Sequence, residues 1–76
     1  MKNIVLPDLG EGIEKGIVSS LYIKEGDLIK AGDDVIELVT DKAAFNVSAE
    51  ISGKVRKINV QQGQEVKIGE VLVVIE

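Results

Sequence analysis

The chain has 76 residues and a mass of 8.2 kDa, with nine basic against thirteen acidic side chains, a formal net charge of −4, and neither cysteine nor histidine. That length allows one core and no second domain, and surface scaling gives about 4,500 Å² folded against roughly 12,000 Å² unfolded, so about 60% of the surface is buried. The composition excludes a disulfide framework, a zinc site, a Cys–His nucleophile and a Ser–His–Asp triad; the two aromatics, Tyr22 and Phe45, and the negative charge exclude the stacking and phosphate attraction that nucleic acid requires.

From the N-terminus, Ile4-Val5-Leu6 opens a strand over 2–6 and is cut off by Pro7-Asp8, too short an apolar run for a signal peptide. A Gly-containing stretch over 8–14 follows. The pattern then predicts strands over 16–23, 34–40, 43–48, 53–60 and 71–76, with short extended pieces near 28–30 and 65–67. Val and Ile make up 21 of the 76 residues, and β-branched side chains lose rotamer freedom in helices but pack well on a pleated surface. The expected class is all-β. The longest aliphatic run, Val71 to Ile75, is far below what a membrane helix needs, so no membrane partner is expected. Without cysteine and without an export signal, the chain fits a reducing compartment.

Sliding the chain against itself by 37 positions lays residues 16–39 over 53–76. Gly16, Val18, Gly26, Lys30 and Gly32 then meet Gly53, Val55, Gly63, Lys67 and Gly69, and Leu21, Ile23, Ile29, Val35, Ile36 and Leu38 meet similar apolar residues. Each glycine pair is expected to mark a turn with positive φ. Both halves also share an irregularity. Val18 to Leu21, like Val55 to Ile58, breaks the alternation of apolar residues by one, which predicts a bulge at the same place in each. Two such halves, neither able to bury enough apolar surface alone, predict two small sheets packed on one core: a flattened β-barrel or sandwich with an internal pseudo-twofold.

Outside the repeat lie residues 1–15 and the connection 40–52. The latter runs Thr40-Asp41-Lys42-Ala43-Ala44 between two strand-like segments and predicts a tight hairpin with a lysine at its tip. Taken alone, an Asp-Lys turn is an ordinary solvated loop.

Pro7-Asp8-Leu9-Gly10-Glu11-Gly12-Ile13, Lys24-Glu25-Gly26-Asp27, Thr40-Asp41-Lys42-Ala43, and Gly53, Gly63 and Gly69 at their spacings together resemble the lipoyl domain of 2-oxo acid dehydrogenase complexes, most of all the N-terminal lipoyl domain of the dihydrolipoyl acyltransferase component. The resemblance covers essentially the whole chain, read as one domain over 1–76. It implies two four-stranded sheets, a barrel-sandwich hybrid, with covalent lipoate on Lys42. Asp41 and Ala43 are then its recognition neighbours for a lipoate ligase or lipoyl transferase. Seven other lysines offer the same amine, so selection has to come from placement. A lysine amine ordinarily titrates near about 10.4 and is a weak nucleophile at neutral pH, so activation belongs to the modifying enzyme and its acyl donor.

By the same resemblance the domain is a non-catalytic swinging-arm carrier, expected to be monomeric in isolation. Its partners are a thiamine-diphosphate-dependent 2-oxo acid decarboxylase, the acyltransferase core and a dihydrolipoyl dehydrogenase. Its compartment is the bacterial cytoplasm or the mitochondrial matrix. The loop Asp8, Leu9, Gly10, Glu11, Gly12, Ile13 and Glu14 is expected to help the decarboxylase recognise its own carrier, and Asp-Lys-Ala points towards the pyruvate complex. Gly10-Glu11-Gly12 is not a nucleotide motif, since its spacing to Gly16 is wrong and no helix follows.

Two positions depart from the family pattern: Val47-Ser48-Ala49-Glu50 lacks the common prolines, and Leu21 stands where many members carry tryptophan. Three rival readings stay open. A biotinyl carrier shares the fold but usually has methionine on both sides of its lysine, where this chain has Asp41 and Ala43. An unmodified β-sandwich interaction module would treat Lys42 as a surface charge. A small carboxylate enzyme would need a cleft and an acid/base pair that the sequence does not display.

Overall fold

The structure, a computed structural model, describes residues 1–10 and 12–76. Its elements are eight strands: β1 (Lys2–Val5), β2 (Lys15–Leu21), β3 (Leu28–Ile29), β4 (Asp34–Val39), β5 (Ala44–Ser48), β6 (Gly53–Ile58), β7 (Glu65–Lys67) and β8 (Val71–Ile75). They form two four-stranded antiparallel sheets, ordered β1-β8-β6-β3 and β5-β4-β2-β7. The sheets lie face to face as a flattened sandwich, not a closed barrel, in a body of 32 × 21 × 17 Å.

The 37-residue repeat is visible in the hydrogen bonds. The Lys24 amide donates to Asp27 Oδ2 at 2.8 Å, and the Gln61 amide to Gln64 Oε1 at 3.1 Å; the Lys30 amide donates to Asp33 Oδ2 at 2.9 Å, and the Lys67 amide to Glu70 Oε1 at 3.3 Å. Between the halves, the Gly26 amide donates to the Val55 carbonyl and the Gly63 amide to the Val18 carbonyl, each at 2.7 Å. The expected bulges are present: the β2–β4 register slips between Val18 and Ser20, and the β6–β8 register between Val55 and Lys57. Because of the extra residue, Leu21 and Ile58 return to the core side, where both pack against buried neighbours.

Two expectations need correction. Gly16 and Gly53 are strand residues, not turn residues, and neither has a positive φ. What keeps Gly53 small is contact: a Cβ there would lie 2.5 Å from Ile75 Cγ2 and 2.8 Å from the Glu76 carbonyl oxygen. The strands over 16–23 and 53–60 also end earlier, at Leu21 and Ile58, although the Tyr22 and Asn59 amides still donate to the Val35 and Leu72 carbonyls before the chain turns.

The core is aliphatic and drawn from both sheets. Val18, Val35, Ile36, Leu38 and Val66 on one side face Ile4, Val55, Leu72, Val73 and Ile75 on the other, with Leu6 closing one end. β3 and β7 cross over: each follows one half in sequence but pairs with β6 or β2 of the other half. The halves therefore interlock. The accessible surface is 4705 Å², close to the size scaling.

The pseudo-twofold fails in two places. Between β1 and β2 the chain needs the loop 8–14, whereas the equivalent β5–β6 connection is only a few residues long. The β4–β5 hairpin has as its counterpart the gap between the end of β8 and the start of β1. Both departures at the start of β2 and the end of β4 lie at the same end of the sandwich, because Ile17 is opposite Val39.

Candidate functional site: a lysine turn against a glycine loop

The site begins with β4 and β5, whose last ladder pair is Val39 opposite Ala44. Thr40 and Ala43 bracket the turn residues Asp41 and Lys42, and the Thr40 amide donates to the Ala43 carbonyl at 2.9 Å. Two-residue hairpins usually adopt primed turns, which need positive φ and hence Gly or Asn. Among the described residues every positive φ belongs to glycine, so this turn is held in another way. The Thr40 hydroxyl accepts from the Lys42 and Ala43 amides, both at 3.1 Å, and donates to the Ala43 carbonyl at 2.9 Å. One side chain thus satisfies three backbone groups and fixes the backbone from which Lys42 projects.

Asp41, Lys42 and Ala43 are all exposed, as the hairpin reading requires. The loop over 8–14 is built to stand beside them. Asp8 Oδ1 accepts from the Gly10 amide at 2.9 Å, and the Ile13 amide closes a turn onto the Gly10 carbonyl at 3.2 Å. The Glu14 carbonyl accepts from the Ile68 amide at 3.1 Å, tying the loop to the turn before β8. Leu9 packs partly against the core and Ile13 is buried, so these two anchor the loop, while Asp8, Gly10, Gly12 and Glu14 face solvent. Glu11, expected in the same recognition set, lies outside the described residues.

Loop and lysine meet at Gly12. Its φ is +82°, and a Cβ built there would lie only 2.6 Å from Lys42 Nζ. The site thus joins two segments thirty residues apart in sequence, the two places where the internal symmetry breaks. A groove of about 470 Å³ adjoins this contact, lined by the apolar Ile13, Ile17 and Val39 and by the charged Glu14, Lys15, Asp41 and Glu65. At its edge Lys15 Nζ pairs with Glu65 Oε1 at 3.0 Å. The hydrogen bond and charge of Glu65 hold the Lys15 pKa above its ordinary value, with smaller contributions from Glu14 and Asp41. Among the described residues no His, Cys, Asp or Glu cluster could hold a metal ion.

Thr40 is the member of this site that the sequence reading passed over. The available signal was a hydroxyl residue just ahead of a two-residue turn lacking glycine, a place where Ser and Thr bond to nearby backbone.

The geometry can be set beside known proteins. Over its full length the chain is 37% identical to the dihydrolipoyllysine-residue acetyltransferase component of the pyruvate dehydrogenase complex of Mycoplasma capricolum, and over 93% of its length 35% identical to the corresponding Staphylococcus aureus component. It spans about a sixth of these relatives, 17% and 16% of their lengths. Among solved structures, the lipoyl domain of the 2-oxoglutarate dehydrogenase complex from Azotobacter vinelandii superposes with a TM-score of 0.77 at 29% identity, covering 100% of this chain and 96% of that one. The Kluyveromyces lactis urea carboxylase matches with a TM-score of 0.82 at 29% identity, over 99% of this chain but 6% of that one. The biotin/lipoyl family model, described as biotin-requiring enzyme, matches residues 2–75. With that match spanning nearly every residue, this chain belongs to the biotin/lipoyl attachment family.

Proposed function

We propose that residues 1–76 form a single lipoyl domain, the non-catalytic carrier of a dihydrolipoyl acyltransferase component, with lipoate joined through an amide to Lys42. The observation that carries the reading is the convergence of the lysine turn and the glycine loop where the internal symmetry breaks. An exposed lysine on a hairpin braced by Thr40 suits a modifying enzyme that must enclose it. In the modification, Lys42 Nζ bonds to the acyl carbon of an activated lipoate. The bond from that carbon to the leaving nucleotide breaks, and the amine's surplus protons pass to the enzyme or solvent. Asp41 and Ala43 flank the reacting amine as recognition residues.

When bound, lipoate supplies a dithiolane able to accept an acyl group and two electrons. This chain's residues supply placement: Thr40 fixes the turn, Gly12 makes room for the stem, and Asp8, Gly10, Gly12 and Glu14, anchored by Leu9 and Ile13, present a surface to the decarboxylase, with Glu11 in the same set. The further partners are the acyltransferase core and the dihydrolipoyl dehydrogenase, and the complex is that of pyruvate, in the cytoplasm of a bacterium or in the mitochondrial matrix. Tethering raises the effective concentration of the arm at each active site.

Incubation with lipoate ligase, lipoate and ATP should add one lipoyl group, mapped by peptide mass to Lys42, and make the protein one unit more negative than −4. Lys42→Ala should abolish the addition. Modification that survives in this variant, or spreads to Lys24 or Lys54, would overturn the assignment. The family description keeps biotin as a second reading, and a parallel incubation with biotin ligase separates the two.

A further inference from the structure

We propose that the outer-face pair Ile17 and Val39 is a docking site for the aliphatic part of the acyl group carried on Lys42; the inference rests on the lipoyl reading above. Ile17 in β2 and Val39 in β4 are directly opposite each other in the ladder, and each remains 43% exposed. With Ile13 they are the apolar side chains lining the groove of about 470 Å³ beside the lysine turn, whose charged lining is Glu14, Lys15, Asp41 and Glu65. The groove and the attachment atom are contiguous. Gly12, which lies against Lys42 Nζ, and Thr40 and Asp41, which immediately precede Lys42, all line it.

The internal repeat supplies a control for whether this apolar pair serves the fold. Thirty-seven residues on, Ile17 and Val39 correspond to Lys54 and Glu76. That equivalent pair also faces outward and is also joined across the sheet, by the Glu76 amide donating to the Lys54 carbonyl at 2.9 Å, yet it is charged. The repeat-equivalent place therefore carries a solvated Lys/Glu pair at the end away from the lysine turn. Packing does not require Ile and Val at the lysine end, since both are outside the core cluster. Neighbouring apolar side chains left in water beside an attachment point form a surface suited to an uncharged partner. An acyl arm fits this chemistry: the amide removes the ammonium charge, and the remaining chain is alkyl with a neutral sulfur ring. Both side chains stay partly exposed, so docking is reversible and leaves the arm able to depart to a partner.

The test uses the domain uniformly labelled with nitrogen-15 and carbon-13, unmodified and enzymatically lipoylated, with peptide mapping to place the group first. On the lipoylated protein, nuclear Overhauser contacts from lipoyl methylene protons to the Ile17 and Val39 methyl groups are expected, and amide shifts should extend to Ile13, Ile17 and Val39 while the Lys54–Glu76 face stays unchanged. The double variant Ile17→Ser/Val39→Ser should keep its folded amide spectrum and its lipoylation but lose those contacts, and Ile17→Val/Val39→Ile should restore them. If Lys42 is lipoylated but shifts stop at residues 40–44 and no methyl contacts appear, the docking site is wrong while the lipoyl reading stands. If contacts are absent and ligase turnover falls in the serine variant, the pair is a protein contact instead, and the inference is overturned. Absence of lipoyl on Lys42 would overturn the reading on which it rests.

Discussion

Thr40 and Gly12 act on Lys42 from opposite sides, one through hydrogen bonds and the other through lack of a side chain. Thr40→Val keeps the shape but removes the oxygen serving the Lys42 and Ala43 amides, so stability should fall by about 0.5–1.5 kcal/mol, at the low end because water reaches the turn. Ligase kcat/KM should fall with it, and Thr40→Ser should recover both. Gly12→Ala and Gly26→Ala share a backbone cost of about 1–2 kcal/mol, since their φ values are +82° and +94°. They differ in what the new methyl meets. Around Gly26 nothing lies within 4 Å, whereas at Gly12 the methyl runs into Lys42 Nζ, so only Gly12→Ala should alter lipoylation or acylation rates beyond the loss of stability. At alkaline pH two further side chains matter. Lys15 is raised from 10.5 by Glu65, and Tyr22 is raised from 10.0 by desolvation and then by the Glu37 and Asp34 charges. The folded chain holds these protons more tightly than the unfolded one. Their stabilisation is therefore full below about pH 10 and is lost as pH rises through the raised values. Urea midpoints at about pH 9 and pH 11 should show the fall, and Glu65→Gln should lessen it.

Within the strands, the paired bulges give a matched experiment. Val18 and Val55 are each 1% exposed, just ahead of the same irregularity in equivalent strands. Val18→Ala and Val55→Ala should each cost about 1–3 kcal/mol by denaturant unfolding and agree within about half a kcal/mol. Most of this level was legible in the sequence. Short apolar runs bounded by glycines, without a helical period, gave all eight extended segments, and the shared slip in alternation after Val18 and Val55 gave both bulges, because an extra residue interrupts the record left by burying one face. The partners of β3 and β7 were not legible, since strands of two and three residues carry no pattern from which a partner can be chosen. Gly53 was misread as a turn because a glycine kept for close approach looks the same in sequence as one kept for positive φ, and Gly16 was misread with it as its repeat partner. The lysine turn itself was plain; its brace was not, because a threonine in a strand-like run reads as a strand residue first.

At the scale of the molecule, recognition and folding should separate. A graft of foreign sequence into the loop 8–14 that keeps Leu9, Gly10, Gly12 and Ile13 retains both anchors and both positive-φ positions, so stability should stay within about 0.5 kcal/mol. Acyl transfer from the cognate decarboxylase to the lipoylated graft should drop while ligase turnover holds. Unchanged transfer would remove the loop from the recognition surface, and a parallel loss of lipoylation would make it a support for the hairpin. The symmetry mismatch that created the site also fixes its mechanics. The lysine hairpin occupies the position that its symmetry mate leaves open, where β8 ends and β1 begins. Chain continuing from either terminus therefore leaves by one pole of the sandwich while Lys42 projects from the other. With lipoate on Lys42 the body would act as a rigid boom with its tip at full radius, and a pull applied at either terminus would enter through the β1–β8 and β6–β8 ladders without passing through the turn that holds the lysine.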